Sequence, residues 1–419
     1  MDGRQAVKAK ASYRELLPEK NYIKNVAAGT ISRFGDSVDS IAYPWMTFAL
    51  TGSAALSATV YGTNLLVSVL MQPFTGALVT GWNKKLTIVL TDAGRGLLVV
   101  AAALLYAFGL LAPWMLIAFT VLTSALEAFH NPAALALYPQ LVPKEKYTLA
   151  TSLSGTVQRA AEIAGLAAAG AIIALVGVYG ALLVDALTFF ASGVILMTLR
   201  LPKHVKSAVP SAWKEFTGNT REGFAYVAKN KKILALSLSA CALNVVFVPL
   251  NALQAAYASD GLRLGAQALS AMGIGTTAGM ILGSFVFPKI AARVKRFYIF
   301  FASIVISTGA YLGFGFITYL PVDIMKWVGL VTVALFFGFA VSAANACASV
   351  SFMENVEEGY LARAGGILSA MCLAAIPVCS YIIAGISSVV PVVTLVIGFG
   401  AVALALSALF LLVKPLRDM

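Results

Sequence analysis

The sequence predicts an all-α membrane protein: twelve transmembrane helices in two pseudo-symmetric six-helix bundles. Three observations carry that prediction. Of 419 residues, 60% are hydrophobic and 11% charged, at a mean hydropathy of +0.87; a soluble domain carries about 25% charged residues. A span takes about 20 apolar residues, so roughly twelve spans with short loops use up the chain. That leaves no room for a soluble catalytic domain. Finally, Lys and Arg collect in alternate loops, as they do in a chain that crosses a bilayer repeatedly.

Apolar runs fall near 22–50, 55–81, 86–110, 114–141, 147–176 and 179–200. After a polar stretch they resume near 232–258, 266–288, 298–319, 325–353, 361–387 and 391–413. The expected organisation is a cytoplasmic N-terminus (1–21), a six-helix bundle (22–200) and a linker (201–231). A second bundle (232–413) and a cytoplasmic C-terminus (414–419) follow. The linker's second part, about 212–229, reads as a surface helix. The N-terminus is polar and basic with no apolar signal region, so the first span is also expected to target the chain to the plasma membrane. Only Arg263 and Lys326 lie in or beside odd-numbered loops, and 25 of the 30 Lys and Arg lie in even-numbered loops, in the termini or at the span ends that adjoin them. The loops at 51–54, 110–113, 177–180 and 388–391 carry no charge. Both termini are therefore expected in the cytoplasm, and topology accounts for the net charge of +12. Nucleic acid is not an expected partner, because no soluble stretch is long enough to form a basic groove.

Chemistry that needs a ligand set finds none in the sequence. Cys241, Cys347, Cys372 and Cys379 lie in apolar runs without a CxxC. His130 and His204 are the only histidines, too few for a zinc site. There is no GxSxG and no phosphate loop. The Gly-rich stretch GIGTTAGMILGS (273–284) lies inside an apolar run, where small residues let helices approach. No cofactor, no metal and no enzymatic activity are expected.

The two halves resemble each other. A shift of 214 residues sets NPAALALYPQLVPKEKYTLATSL (131–153) on NACASVSFMENVEEGYLARAGGI (345–367), matching Asn131, Ala134, Val142 and Ala150 with Asn345, Ala348, Val356 and Ala364. Both segments join two spans on the same side. A parallel repeat of this kind is what two-lobed secondary transporters show.

Four stretches carry a family resemblance. GDSVDSIAYPWMTFALTGSA (35–54) resembles the first span of the major facilitator superfamily, and AFHNPAALALYPQLVPKEKYTLATSL (128–153) its corner between spans 4 and 5. FTGNTREGFAYVAKNKKILALSLSACALNVVFVPLNAL (216–253) resembles its linker helix and span 7, and ARAGGILSAMCLAAIPVCS (362–380) is a weaker match in span 11. Within the superfamily the chain is similar to twelve-span drug:proton antiporters of the macrolide-efflux type, over about residues 22–413. The resemblance implies alternating access, spans 1, 4, 7 and 10 around a cavity, and a monomer in the lipid bilayer. It also implies export of a small amphipathic substrate, drug-, macrolide- or siderophore-like, against protons. A lysolipid flippase or uncoupled facilitator is the alternative, and a receptor or scaffold a remote one. In the family's loop 2–3 signature an Asp-Arg pair follows the Gly; here GALVTGWNKK (76–85) puts Thr80 and Gly81 in its place. Gly76, Lys84 and Lys85 remain, and Asp92 and Arg95 match the continuation, so these five are the expected cytoplasmic gate. Thr123 stands at the family's span-4 Arg, and the span-5 signature reads AGLAAAG (164–170), without its Pro.

Ionised side chains inside a span are costly and face cavities or partners. They are concentrated in the N-terminal half: Arg33, Asp36, Asp39, Glu127, Arg159, Glu162 and Asp185. At about 1.5 Å per residue, Asp36, Glu127 and Glu162 fall in one mid-membrane layer. The i,i+3 spacing places Arg33, Asp36 and Asp39 on one helix face, and Arg159 with Glu162 on another. Asp39 and Glu127 are the expected proton carriers, with Glu162 and Asp36 in the same set and Arg33 and Arg159 as charge partners. The alternative is a structural set of buried ion pairs. Substrate-cavity candidates are Tyr43, Phe129, His130, Asn244, Asn251 and Asn345; hydrogen-bond glue between helices is the other reading of the asparagines.

Overall fold

In lipid, every backbone N–H and C=O must be satisfied within its own segment, so a chain this apolar folds into helices. The computed structural model describes residues 13–80, 82–201, 224–356 and 361–410, and contains no strand among them. The first lobe comprises α1 (Lys20–Thr51), α2 (Ala54–Thr80), α3 (Lys84–Ala107), α4 (Pro113–Leu137) and one helical run, Tyr147–Met197. That run breaks at Gly177 (φ 76°, ψ 175°) into α5 (147–176) and α6 (178–197). This backbone conformation is essentially open only to glycine, so one residue makes the turn where a short loop was expected. The second lobe comprises α7 (Lys231–Ala252), α8 (Gln267–Ala291), α9 (Arg296–Ile317), α10 (Asp323–Asn355), α11 (Leu361–Ser387) and α12 (Val392–Phe410).

Among the described residues, ten helices are long and apolar enough to cross a membrane, one of them the double run of α5 and α6. α1 completes the twelve; its lysines, arginine and aspartates keep it below that hydropathy. α7 stops at Ala252 rather than near 258, and a π-helical turn, Tyr257–Gly261, leads on towards α8. Of the expected surface helix in the linker, 224–229 is helical; 212–223 lies outside the described residues, as do the termini and Gly81.

Small residues set how closely the helices pack. A Cβ on Gly279 would lie 2.0 Å from the Leu335 carbonyl oxygen, and one on Gly338 would lie 1.9 Å from that of Thr276, so α8 and α10 meet backbone to backbone. Gly275 and Gly283 extend that seam by one turn each way. Between the lobes, α2 packs on α11 and α5 on α8. The Ser380 hydroxyl donates to the Ala58 carbonyl (2.6 Å), and the Thr63 and Tyr381 hydroxyls lie 3.0 Å apart. Gly170 lies against Gln267 and Ser270, and Gly273 against Leu166. These contacts, among the described residues, fall in the helix halves away from the basic loops.

Gly279→Val should cost about 1–3 kcal/mol, the usual range for overpacking, and lower the melting temperature of the detergent-purified protein. Gly309→Val should leave it nearly unchanged, because nothing lies within 4 Å of a Cβ there.

Candidate functional site

Two cavities penetrate the first lobe and share four side chains. One, of about 380 Å³, is walled by α1, α2, α3, α4 and α6 and roofed by Asn251 and Gln254 of the second lobe. The other, of about 800 Å³, lies towards the basic side between α1, α3, α4, α5 and α6. Arg33, Asp36, Arg95 and Glu127 line both.

Close packing of α1 puts these groups together. Gly165 lets α5 touch the Phe34 carbonyl of α1, and Gly35 admits Asp185 and Thr188 of α6. The Tyr43 hydroxyl donates to the Leu116 carbonyl (2.8 Å) and lies 3.2 Å from the Thr120 hydroxyl, fixing α1 on α4. Arg95 Nη2 donates to Asp36 Oδ1 at 2.9 Å, and its guanidinium sits 4.2 Å over the Phe189 ring. Glu162 forms ion pairs with two arginines, Arg33 at 2.8 Å and Arg159 at 2.7 Å, and accepts a hydrogen bond from Arg159. Asp39 and Asp185 each bury one carboxylate oxygen with no hydrogen-bond partner among the described residues.

The expected pairings change in detail. Arg33 and Asp36 share a helix face, but each reaches across to another helix. Arg33 pairs with Glu162 on α5, and Asp36 takes Arg95 on α3. The gap that Gly165 closes explains the first, and the depth of Arg95 the second. Expected at the gate, Arg95 stands about 16 Å along α3 from Lys84 at 1.5 Å per residue, at the level of Asp36. Glu162 lines neither of the two cavities. Asp92 is fully buried and accepts from the Ser192 hydroxyl (3.0 Å), with His130 Nδ1 2.9 Å away. It ties α3 to α6 and α4, and His130 lines the basic-side cavity.

The remaining candidates divide. Tyr43 and Asn251 line the smaller cavity. Phe129 instead stacks on Trp82, with centroids 5.5 Å apart and planes at 9°. Asn244 and Asn345 are exposed and line neither cavity. Lys85 donates to the carbonyls of Met197 (2.7 Å) and Leu199 (2.8 Å), capping the C-terminal end of α6, where orphan carbonyls and the helix dipole favour a cation. Lys84 donates to the Trp82 carbonyl. Both lysines thus make these contacts inside the first lobe. Gly76 lies in the last part of α2. Asp185 was legible as a charge within a span but not as a cavity wall; the signal was its own improbability in hydrocarbon.

A sequence model of the Major Facilitator Superfamily matches residues 26–376. The chain belongs to that superfamily. Macrolide efflux protein A of Streptococcus pyogenes is 26% identical over 342 residues, covering 78% of this chain and 80% of that one. An uncharacterized MFS-type transporter of Bacillus subtilis (strain 168), YvqJ, is 26% identical over 295 residues, 68% of each chain. The crystal structure of the nucleoside transporter NupG, in a mutant form, superposes with a TM-score of 0.78 at 13% identity, over 94% of this chain and 100% of that one. At that identity the likeness concerns the fold. The superfamily member described here is thus a multi-pass membrane transporter, with its mid-span charges concentrated in one lobe.

Asp36→Asn should destabilise it, because Arg95 then stays buried without its partner; breaking a buried pair costs about 3–5 kcal/mol, less where one partner is partly exposed. Adding Arg95→Gln should recover part of the loss. Thermal unfolding of the two variants beside the parent checks this.

Proposed function

We propose that the chain is a secondary active exporter of a small amphipathic molecule, working by alternating access with proton antiport in the plasma membrane. The observation that carries this reading is the meeting of two cavities at Arg33, Asp36, Arg95 and Glu127. A titratable cluster between two such cavities can take a proton from one side and release it to the other. Burial favours the neutral form of an acid in such a place, and an adjacent guanidinium favours the carboxylate. Shifting Arg95 between Asp36 and its neighbours would therefore change which acid holds a proton.

In this reading Asp39 and Glu127 carry protons. Asp36 holds Arg95, and Glu162 with Arg33 and Arg159 fastens α1 to α5. With the basic loops and both termini in the cytoplasm, the lobe contacts Ala58–Ser380 and Thr63–Tyr381 form the outer closure, and the conformation is inward-facing. The likeness to a macrolide efflux protein supports a bulky amphipathic substrate. The chain acts as a monomer, since each lobe supplies walls to one cavity.

One feature favours a second reading, a lysolipid flippase. On the basic side α5 and α8 leave a groove of about 620 Å³ between the lobes, whose apolar wall includes Ile163, Met280, Ile281 and Phe285, with Arg159 beside them. Such a groove would admit a lipid tail from the side.

In proteoliposomes with an imposed pH gradient, Glu127→Gln and Asp39→Asn should each reduce gradient-driven efflux of a macrolide at least about tenfold, a loss of roughly 1.4 kcal/mol or more in the driven step. Counterflow without a gradient should persist. Full gradient-driven efflux by both variants would overturn the antiport assignment. Lysolipid movement indifferent to a protonophore would favour the flippase.

A further inference from the structure

We infer that the α8–α9 corner and the groove beside it bind an anionic diacyl phospholipid, its phosphate on Lys289, Arg293 and Lys295 and one acyl chain between α5 and α8. The inference goes beyond the export reading and does not rest on it. Lys289, Arg293, Lys295 and Arg296 fall within eight residues, and no Asp or Glu occurs from 261 to 322. Arg296 pairs with Glu354 of α10. Lys289, Arg293 and Lys295 are exposed, and their side chains make no ion pair or hydrogen bond among the described residues.

Topology alone asks only that such residues stay on one side of the membrane. Other lysines on that side are engaged within their own lobe. Lys85 donates to the Met197 and Leu199 carbonyls, Lys24 donates to that of Thr198, and Lys146 pairs with Glu19. The three cations at the α8–α9 corner are left for something outside the protein. Exposed Ile290, Val294 and Tyr298 stand among them, and a tyrosine ring of this kind settles at a membrane–water interface. Basic clusters beside helix ends hold the phosphates of anionic lipids.

The groove begins one turn deeper. Phe285 lies four residues before Lys289 on α8, so the two share a helix face, and Phe285 is 74% exposed. From Phe285 the apolar wall continues through Ile281 and Met280, with Ile163 on the α5 side, around a space of about 620 Å³. Arg159 on the same side is paired with Glu162, so it is not left as an unpaired charge against the chain. Deeper still the two helices touch, Gly170 against Gln267 and Ser270, and Leu166 against Gly273. The groove is therefore open towards the cationic corner and closed at the seam. A chain lying in it meets apolar walls while its phosphate stays at the corner. A small inorganic anion would use the cations and leave the groove empty. Once occupied, the groove holds the basic-side ends of α5 and α8 apart.

Photolabelling of the full-length protein in phosphatidylcholine nanodiscs tests the site. The probes are a phosphatidylglycerol and a phosphatidylcholine, each with a diazirine near the end of one acyl chain, and peptide mass spectrometry locates the label. Segments 151–163 and 277–285 should take at least about fivefold more label from the phosphatidylglycerol, because the basic corner selects the anionic headgroup. Combining Lys289→Gln, Arg293→Gln and Lys295→Gln should remove that preference and leave labelling of other lipid-facing segments unchanged. Gly155→Phe places a ring in the groove, where nothing lies within 4 Å of a Cβ. It should abolish labelling of 277–285 with the corner cations intact. Equal labelling by the two probes would overturn the inference. So would a preference that survives loss of the three charges, or labelling that Gly155→Phe does not diminish. If the variants do not survive purification, competition on the parent protein decides. Unlabelled phosphatidylglycerol should suppress the groove label and soluble glycerol phosphate should not. Suppression by glycerol phosphate would mark a free-anion site and overturn the lipid assignment.

Discussion

A charge in hydrocarbon must find a counter-charge or a wet cavity, and the first lobe is arranged around that requirement. Arg95 is its centre. The guanidinium stands at mid-depth on α3, takes Asp36 of α1 as partner, and rests on the ring of Phe189 of α6. Three helices are thereby fixed to one another by one side chain. Around it, Arg33 and Arg159 share Glu162, which joins α1 to α5. The network leaves Asp39 and Asp185 each with an unpartnered oxygen, and the cavities lie beside those acids. Packing and chemistry are therefore one problem in this lobe, since the ties that hold α1 in place also decide which acids remain available.

The second lobe solves a different problem. It has little charge to bury, and its helices are drawn together by missing side chains. Gly275, Gly279 and Gly283 form a strip on α8 that meets α10, whose own Gly338 completes the fit. Dispersion forces and close backbone approach do here what ion pairs do in the first lobe. The first lobe adds ion pairs to its close glycine contacts, the second relies on shape, and the seam between them uses a few hydroxyls and small residues on α2, α5, α8 and α11.

Much of this was legible in the sequence, because hydropathy and charge act over whole spans. The twelve segments, the basic loops and the layer of acids followed from composition and helical rise alone. α1 was recognisable as a span from its charges as well as its apolar residues, although those charges keep it below a simple hydropathy limit. What escaped was anything that depends on which helices are neighbours. Helical periodicity puts Arg33 beside Asp36, but side chains on one face also compete for partners on the next helix, and Glu162 lies within reach because Gly165 lets α5 approach. The family motif puts Arg95 in the cytoplasmic gate, while its depth depends on where α3 begins. Phe129 faces Trp82 because of the turn after α2, a contact between segments far apart in sequence. Asp185 was visible as a charge, but only the packing of α6 against α1 at Gly35 places it in a wall.

The single-residue turn at Gly177 has a mechanical consequence. A loop between two spans is slack, and it lets each helix tilt on its own. α5 and α6 have no such slack, because helix continues on both sides of one glycine. They form a bracket whose arms are one residue apart. One arm lies against α8 at the lobe seam, and the other carries Asp185 into the cavity wall. Under the proposed alternating access, a shift of α5 at the seam would reach the helix that carries the buried acid through a single intervening residue.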